Sequence, residues 1–203
     1  MYLIFDTETS GLPNYKLPLN DPNQARIIQL AAILLDESFE EVACLSTLIK
    51  PDGWTIHPGA QAAHGIDITT CEKYGVHISI ALHMFDCMYM KSTRVIAHNI
   101  KFDRRMIEVE RALSHPDFEI KSNPEIDFCT MLSTTNLCRL PGRIPGQFKW
   151  PKLVELHKFL FGTEFEGAHD ALADVRATAK CFKYLVENKL ADMQNNVGTL
   201  LAK

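Results

Sequence analysis

The chain has 203 residues, 46% hydrophobic and 23% charged, with a formal net charge of −4. That length can bury a core without disulfide or metal staples and is most simply one domain, while the acidic balance excludes a protein that coats nucleic acid by bulk charge. The six cysteines form no C-x-x-C pair and no zinc-type spacing, which predicts free thiols in a reducing cytoplasm, and no run approaches the roughly 20 apolar residues of a membrane span.

The opening "MYLIFDTETSGLP" sends four apolar residues, 2–5, into Asp6, Thr7 and Glu8. Four residues are too few for a secretory signal and read instead as a buried strand. Side chains alternate along a strand, so Asp6 and Glu8 share one face about 7 Å apart. Alone, the stretch leaves two readings: solvated acids past the strand end, or a pair that repels unless a cation lies between. "RIIQLAAILLD" (26–36) and "EEVACLSTLIKP" (41–51), separated by the polar "ESFE", predict a hairpin of two further strands. Helical spacing follows in 78–92, where Ile80, Met84 and Met88 form one apolar row and Ala81, Phe85 and Tyr89 another. "RVIAH" (94–98) is a short strand, 102–114 a helix and 125–129 a further strand. A helix over 151–162 has Pro at its start and Gly at its end, and 170–189 is a long helix with Asp170 as N-cap. This order predicts an α/β sandwich around a mixed sheet. Residues 191–203 are weakly patterned and are expected to fray.

Two more acids stand out. Asp103 falls just beyond a buried strand, in the first turn of the next helix, either complementing the helix dipole or joining a site at the carboxyl end of the sheet. Asp174 shares its helix face with Ala171, Thr178, Cys181 and Leu185, so its carboxylate points inward and needs a partner, of which a metal ion is a frequent one. His169, on a Gly-adjacent loop before that helix, reads as a surface residue or as a base that titrates near neutrality.

Taken in order, "FDTETSGL", "AHNIKFDRRMI" and "HDALADVRAT" resemble the three motifs of the DEDDh (DnaQ-like) 3′–5′ exonucleases, a superfamily that includes the epsilon proofreading subunit of DNA polymerase III, RNase T and the TREX enzymes. The resemblance covers about residues 2–188, with "HGI" (64–66) and "PKLVELHKFLFG" as smaller pieces. It implies a ribonuclease H-like three-layer fold, a central mixed five-stranded sheet flanked by helices, over a single domain 1–190. It implies two divalent cations, Mg²⁺ or Mn²⁺, with Asp6 bridging both, Glu8 and Asp174 completing one site and Asp103 holding the second. His169 would deprotonate the attacking water; Thr7, Thr9, Leu12, His64 and Asn99 would contact substrate. For His64 a capping or core role stands equally open. The implied substrate is a single-stranded nucleic acid 3′ end, DNA favoured, in a monomer or homodimer, and proofreading would require a polymerase or repair partner. Rival readings are RNA end-trimming, a phosphohydrolase of small nucleotides and a non-catalytic binding module, though the last predicts loss of an acid and all four are present.

The stretch least like the family is 136–153. It carries Arg139, Arg143, Lys149 and Lys152 without an acid, with Phe148 and Trp150 among them and two Pro-Gly turns. It is a protruding loop either suited to a single strand or packing its aromatics back on the domain.

Overall fold

The computed structural model describes residues 1–114 and 123–191. The fraying expected of the tail therefore concerns residues almost wholly outside those described. Five strands form one mixed sheet: β1 (Tyr2–Thr9), β2 (Ile27–Leu35), β3 (Glu41–Leu48), β4 (Arg94–Ala97) and β5 (Asp127–Cys129). Their spatial order is β3-β2-β1-β4-β5, with β2 antiparallel to both β1 and β3, and β4 and β5 parallel to β1. Seven α-helices lie among the described residues: α1 (Pro58–His64), α2 (Ile68–Tyr74), α3 (Ile78–Tyr89), α4 (Ile100–Ser114), α5 (Thr130–Cys138), α6 (Leu153–Phe161) and α7 (Ala171–Glu187). The predicted three-layer arrangement is present. No helix among the described residues is long and apolar enough to cross a membrane.

Strand alternation splits the core. Leu3 and Phe5 of β1 face a cluster built with α3 and α4, while Ile4 faces Ala171, Val175 and Phe182 of α7. β2 is buried along its whole length, as a strand covered on both faces must be, and its continuous apolar run reflects that. α4 is tied to β2 through buried Glu110, which accepts from the Arg26 guanidinium at 3.0 and 2.8 Å and from the Ile27 N–H at 2.7 Å.

Three expectations need correction. β1 continues to Thr9, so Asp6 and Glu8 lie within a paired strand, opposite Ala31 and Gln29, and not beyond its end. On α3 the row Ile80/Met84 is exposed while Ala81, Leu82, Phe85 and Tyr89 are buried, because a helix on a sheet buries one stripe and the 12-residue segment had offered two. α1, α2 and α5 had not been expected at all.

Candidate active site

The site forms where β1 outruns its neighbour. β4 pairs with β1 only as far as Ile4↔Ile96, which leaves the later part of that β1 edge without a strand. The first turn of α4 fills the gap: the Thr7 N–H donates to Asp103 Oδ1 at 3.0 Å, and the Thr7 hydroxyl donates to the same oxygen at 2.8 Å. Asp103 is thereby buried and fixed. On the opposite face of β1, where Asp6 and Glu8 point, α7 brings Asp174. The His169 N–H donates to both Asp174 carboxylate oxygens, at 3.4 and 3.3 Å, with His169 itself in left-handed backbone (φ 73) and its side chain exposed. Donor atoms of Glu8, His169 and Asp174 lie within 4.8 Å of one another.

The electrostatics follow from this crowding. Burial, then the charges of Asp103, Asp174, Glu8 and Asp170, raise the Asp6 carboxyl well above its usual range. Burial followed by Asp174, Asp103 and Asp170 pushes Glu8 up to about 8. Asp103 rises to about 7 through burial, opposed by its bonds from Thr7, and Asp174 to about 6, again through burial, opposed by His169. Four carboxyls raised together in this way form a set whose joint ionisation is favoured by positive charge among them.

A cleft of about 1040 Å³ opens from Glu8 and is lined by Thr9, Leu12, His64, Trp54 and Gln24 among others. Leu12 stands 85% exposed at its mouth. The His64 Nδ1 accepts from the Ile66 N–H at 3.0 Å, while its Nε2 is buried without a hydrogen-bond partner. Two residues expected to contact substrate stand apart from this cleft. Thr7 is buried and spends its hydroxyl on Asp103. Asn99 does not line the cleft; it turns the chain into α4 at φ 75, its carbonyl accepting from the Phe102 N–H.

Sequence reasoning passed over Gln29. It sits opposite Glu8 on β2, donates to Asp170 Oδ2 at 3.2 Å and accepts from the Ala171 N–H at 3.2 Å, so it pins the start of α7. Asp170 is the N-cap, as expected, accepting from the Ala173 N–H. A lone amide inside a nine-residue apolar strand was the available signal. Trp54 and Gln24 were also missed. Buried Gln24 folds the segment after Leu12, its amide donating to the carbonyls of Asn14 and Pro18.

Comparison with solved structures gives the same fold. Escherichia coli exonuclease I in complex with a dT13 oligonucleotide superposes with a TM-score of 0.67 at 22% identity, over 92% of this chain and 40% of that one. Exonuclease X in complex with 5′-overhanging duplex DNA gives 0.59 at 23% identity, over 96% and 100%. The chain spans 42% of the length of exonuclease I in a further structure of that enzyme, matched at a TM-score of 0.69. A comparison with curated proteins gave no match. Residues 3–182 match the family model described as exonuclease (RNase_T), a span that runs from β1 into α7 and takes in all four acids. The motif order, the fold and this match agree: the chain belongs to the RNase_T exonuclease family, within the DEDDh 3′–5′ exonuclease superfamily.

Proposed function

We propose that the chain is a metal-dependent 3′–5′ exonuclease that removes terminal nucleotides from single-stranded nucleic acid, DNA preferred, as nucleoside 5′-monophosphates. The observation that carries this is the convergence of Asp6, Glu8, Asp103 and Asp174, from three elements, into one set of mutually repelling carboxyls beside His169. Hard oxygen donors in that number suit Mg²⁺ or Mn²⁺. Asp6, Glu8 and Asp174 would hold one ion, and Asp6 with Asp103 a second. Bound there, two such ions would acidify the attacking water and neutralise the phosphate and the leaving 3′-oxygen.

The chain's own residues supply the rest. His169, exposed and set by the bond from its N–H to Asp174, accepts the proton of the attacking water, a role worth about 10²–10⁴ in rate. The cleft from Glu8 to His64 receives the terminal nucleotide, with Leu12 placed to press on its base. Support from relatives is of the same kind: exonuclease I is seen with dT13 and dA16, and in a zinc-bound complex with single-stranded DNA.

The test is degradation of 5′-labelled single-stranded DNA and RNA of one sequence with Mg²⁺, with Mn²⁺ and with EDTA. The expected result is a ladder shortening from the 3′ end, faster on DNA, abolished by EDTA and by Asp6→Asn, and slowed at least 100-fold by His169→Ala. Folded, metal-loaded protein that releases no mononucleotide from either polymer would overturn the proposal.

A further inference from the structure

The segment 139–152 has an architecture that the terminal-nucleotide cleft does not use. It is an ordered hairpin: Pro141 bridges Phe148 in antiparallel fashion, Gly142 N–H donates to Gln147 O at 2.9 Å, and Lys149 N–H donates to Leu140 O at 2.9 Å. Gly142 is required there, since a Cβ would come within 2.7 Å of the Gln147 carbonyl oxygen. The aromatics do not pack back on the domain. Trp150 is 64% exposed and Phe148 42%, with Ile144 beside them at 57%. Arg139 and Arg143 are exposed and make no ion pair among the described residues, whereas Lys149 is paired with Glu155. A positive, aromatic ridge on a chain of net charge −4 is a local feature with a sign opposite to the whole.

Its root fixes where it lies. The Pro151 carbonyl is bonded by His98 Nε2 at 3.0 Å, and His98 Nδ1 meets Thr130 Oγ1 at 2.9 Å. Burial holds that imidazole's pKa down to about 4, so it stays neutral and keeps one ring N–H at all ordinary pH. Leu140, at the other foot, packs with Cys138, Leu156 and Cys181. His98 immediately follows β4 and precedes Asn99 and α4, the helix whose first turn carries Asp103. The hairpin thus rises from the β4–β5 side of the acids, while the cleft with Leu12 and His64 lies on the β2–β3 side.

We propose that this hairpin is the track for the nucleic-acid strand upstream of the scissile bond. Phosphates lie against Arg139 and Arg143, and bases stack on Trp150 and Phe148. A strand whose last nucleotide fills the cleft crosses the carboxylates and leaves over the hairpin. The inference rests on the exonuclease reading above and names the surface that makes the substrate a polymer. Stacking of this kind tolerates any base, and paired phosphates make affinity fall with salt.

The experiment is fluorescence anisotropy with labelled dT20, dT6 and dT3 across a salt series in EDTA, so that binding is read without cleavage. Parent protein is compared with Trp150→Ala and with the double variant Arg139→Ala/Arg143→Ala. Both target exposed side chains, and circular dichroism confirms their folding. For dT20, Trp150→Ala is expected to weaken binding about 10-fold, within the range for one lost stack. The double variant is expected to reduce the slope of log K against log salt by about 1.4, roughly 0.7 per cation. Both losses shrink as the strand shortens to dT3. Unchanged dT20 binding, or an equal loss at all three lengths, would overturn the proposal; the first would mark the ridge as a protein contact instead. Failure of the exonuclease reading is seen separately, as absence of the 3′ ladder when Mg²⁺ is supplied.

Discussion

Asp103 shows how a single side chain can be held ready for ionisation. It is buried, which favours the proton, and it accepts two hydrogen bonds from Thr7, which favour the charge. Removing the hydroxyl while keeping the shape separates these effects. Thr7→Val is expected to raise the Asp103 proton affinity further and to weaken Mg²⁺ activation about 10–100-fold, the usual cost of losing a group that orients a ligand. Thr7→Ser is expected to restore it. Titrating exonuclease activity with Mg²⁺ checks both, and equal Mg²⁺ dependence in Val and wild-type proteins would refute the assignment. The alternation that sends Asp6 and Glu8 to one face was legible in "FDTET". That the intervening Thr7 would be buried against an acid 96 residues away was not, since nothing local marks it.

Between elements, Gln29 links β2 to the first turn of α7, and through that turn the sheet sets where Asp174 and His169 stand. Gln29→Leu leaves the Ala171 N–H buried without its acceptor, and a stability loss of about 1–3 kcal/mol is expected by urea denaturation. Turnover is expected to fall with it, because the helix start loses its register on the sheet. A variant with normal stability and normal turnover would show that the clamp is dispensable. The long elements were readable for a simple reason: β2 is a nearly unbroken apolar run, α4 and α7 keep the helical period over several turns, and α7 also carries the Asp170 cap. α5 has neither advantage. "TMLSTTNLC" is rich in β-branched and short polar residues, has no side-chain cap, and is helical because its Thr130, Met131, Thr134 and Cys138 are buried by surrounding elements. α1 and α2 span seven residues each, shorter than a periodicity can establish, although Pro58 after His57 and Asp67 before Ile68 are start signals in hindsight.

Across the whole molecule, the carboxyl cluster links proton uptake to folding. Glu8, Asp103 and Asp174 hold protons up to about pH 8, 7 and 6, against ordinary values of 4.5, 3.8 and 3.8. Between about pH 4 and 8 these three acids bind more protons in the folded chain than in the unfolded one, opposed below about pH 6.5 by His98, whose pKa burial holds down to about 4, so the contribution of the acids to stability falls as pH rises through that window. Metal-free protein in EDTA is expected to lose thermal stability from pH 5 to pH 8.5. Mg²⁺, which binds the ionised acids, is expected to raise Tm more at the upper end than at the lower. Thermal melts at five pH values with and without Mg²⁺ check this, and a Tm gain from Mg²⁺ that is largest at pH 5 would contradict it.

The distribution of the proposed ligands along the chain has a consequence for synthesis. A ribosome extends a polypeptide at about 5–20 residues per second and domains fold as their sequence emerges. A nascent chain that has exposed β1 through β5 already contains Asp6, Glu8 and Asp103, yet it lacks both Asp174 and His169, and β1 and β2 lack the cover of α7. Hydrolysis on this scheme begins only when α7 has left the tunnel and docked.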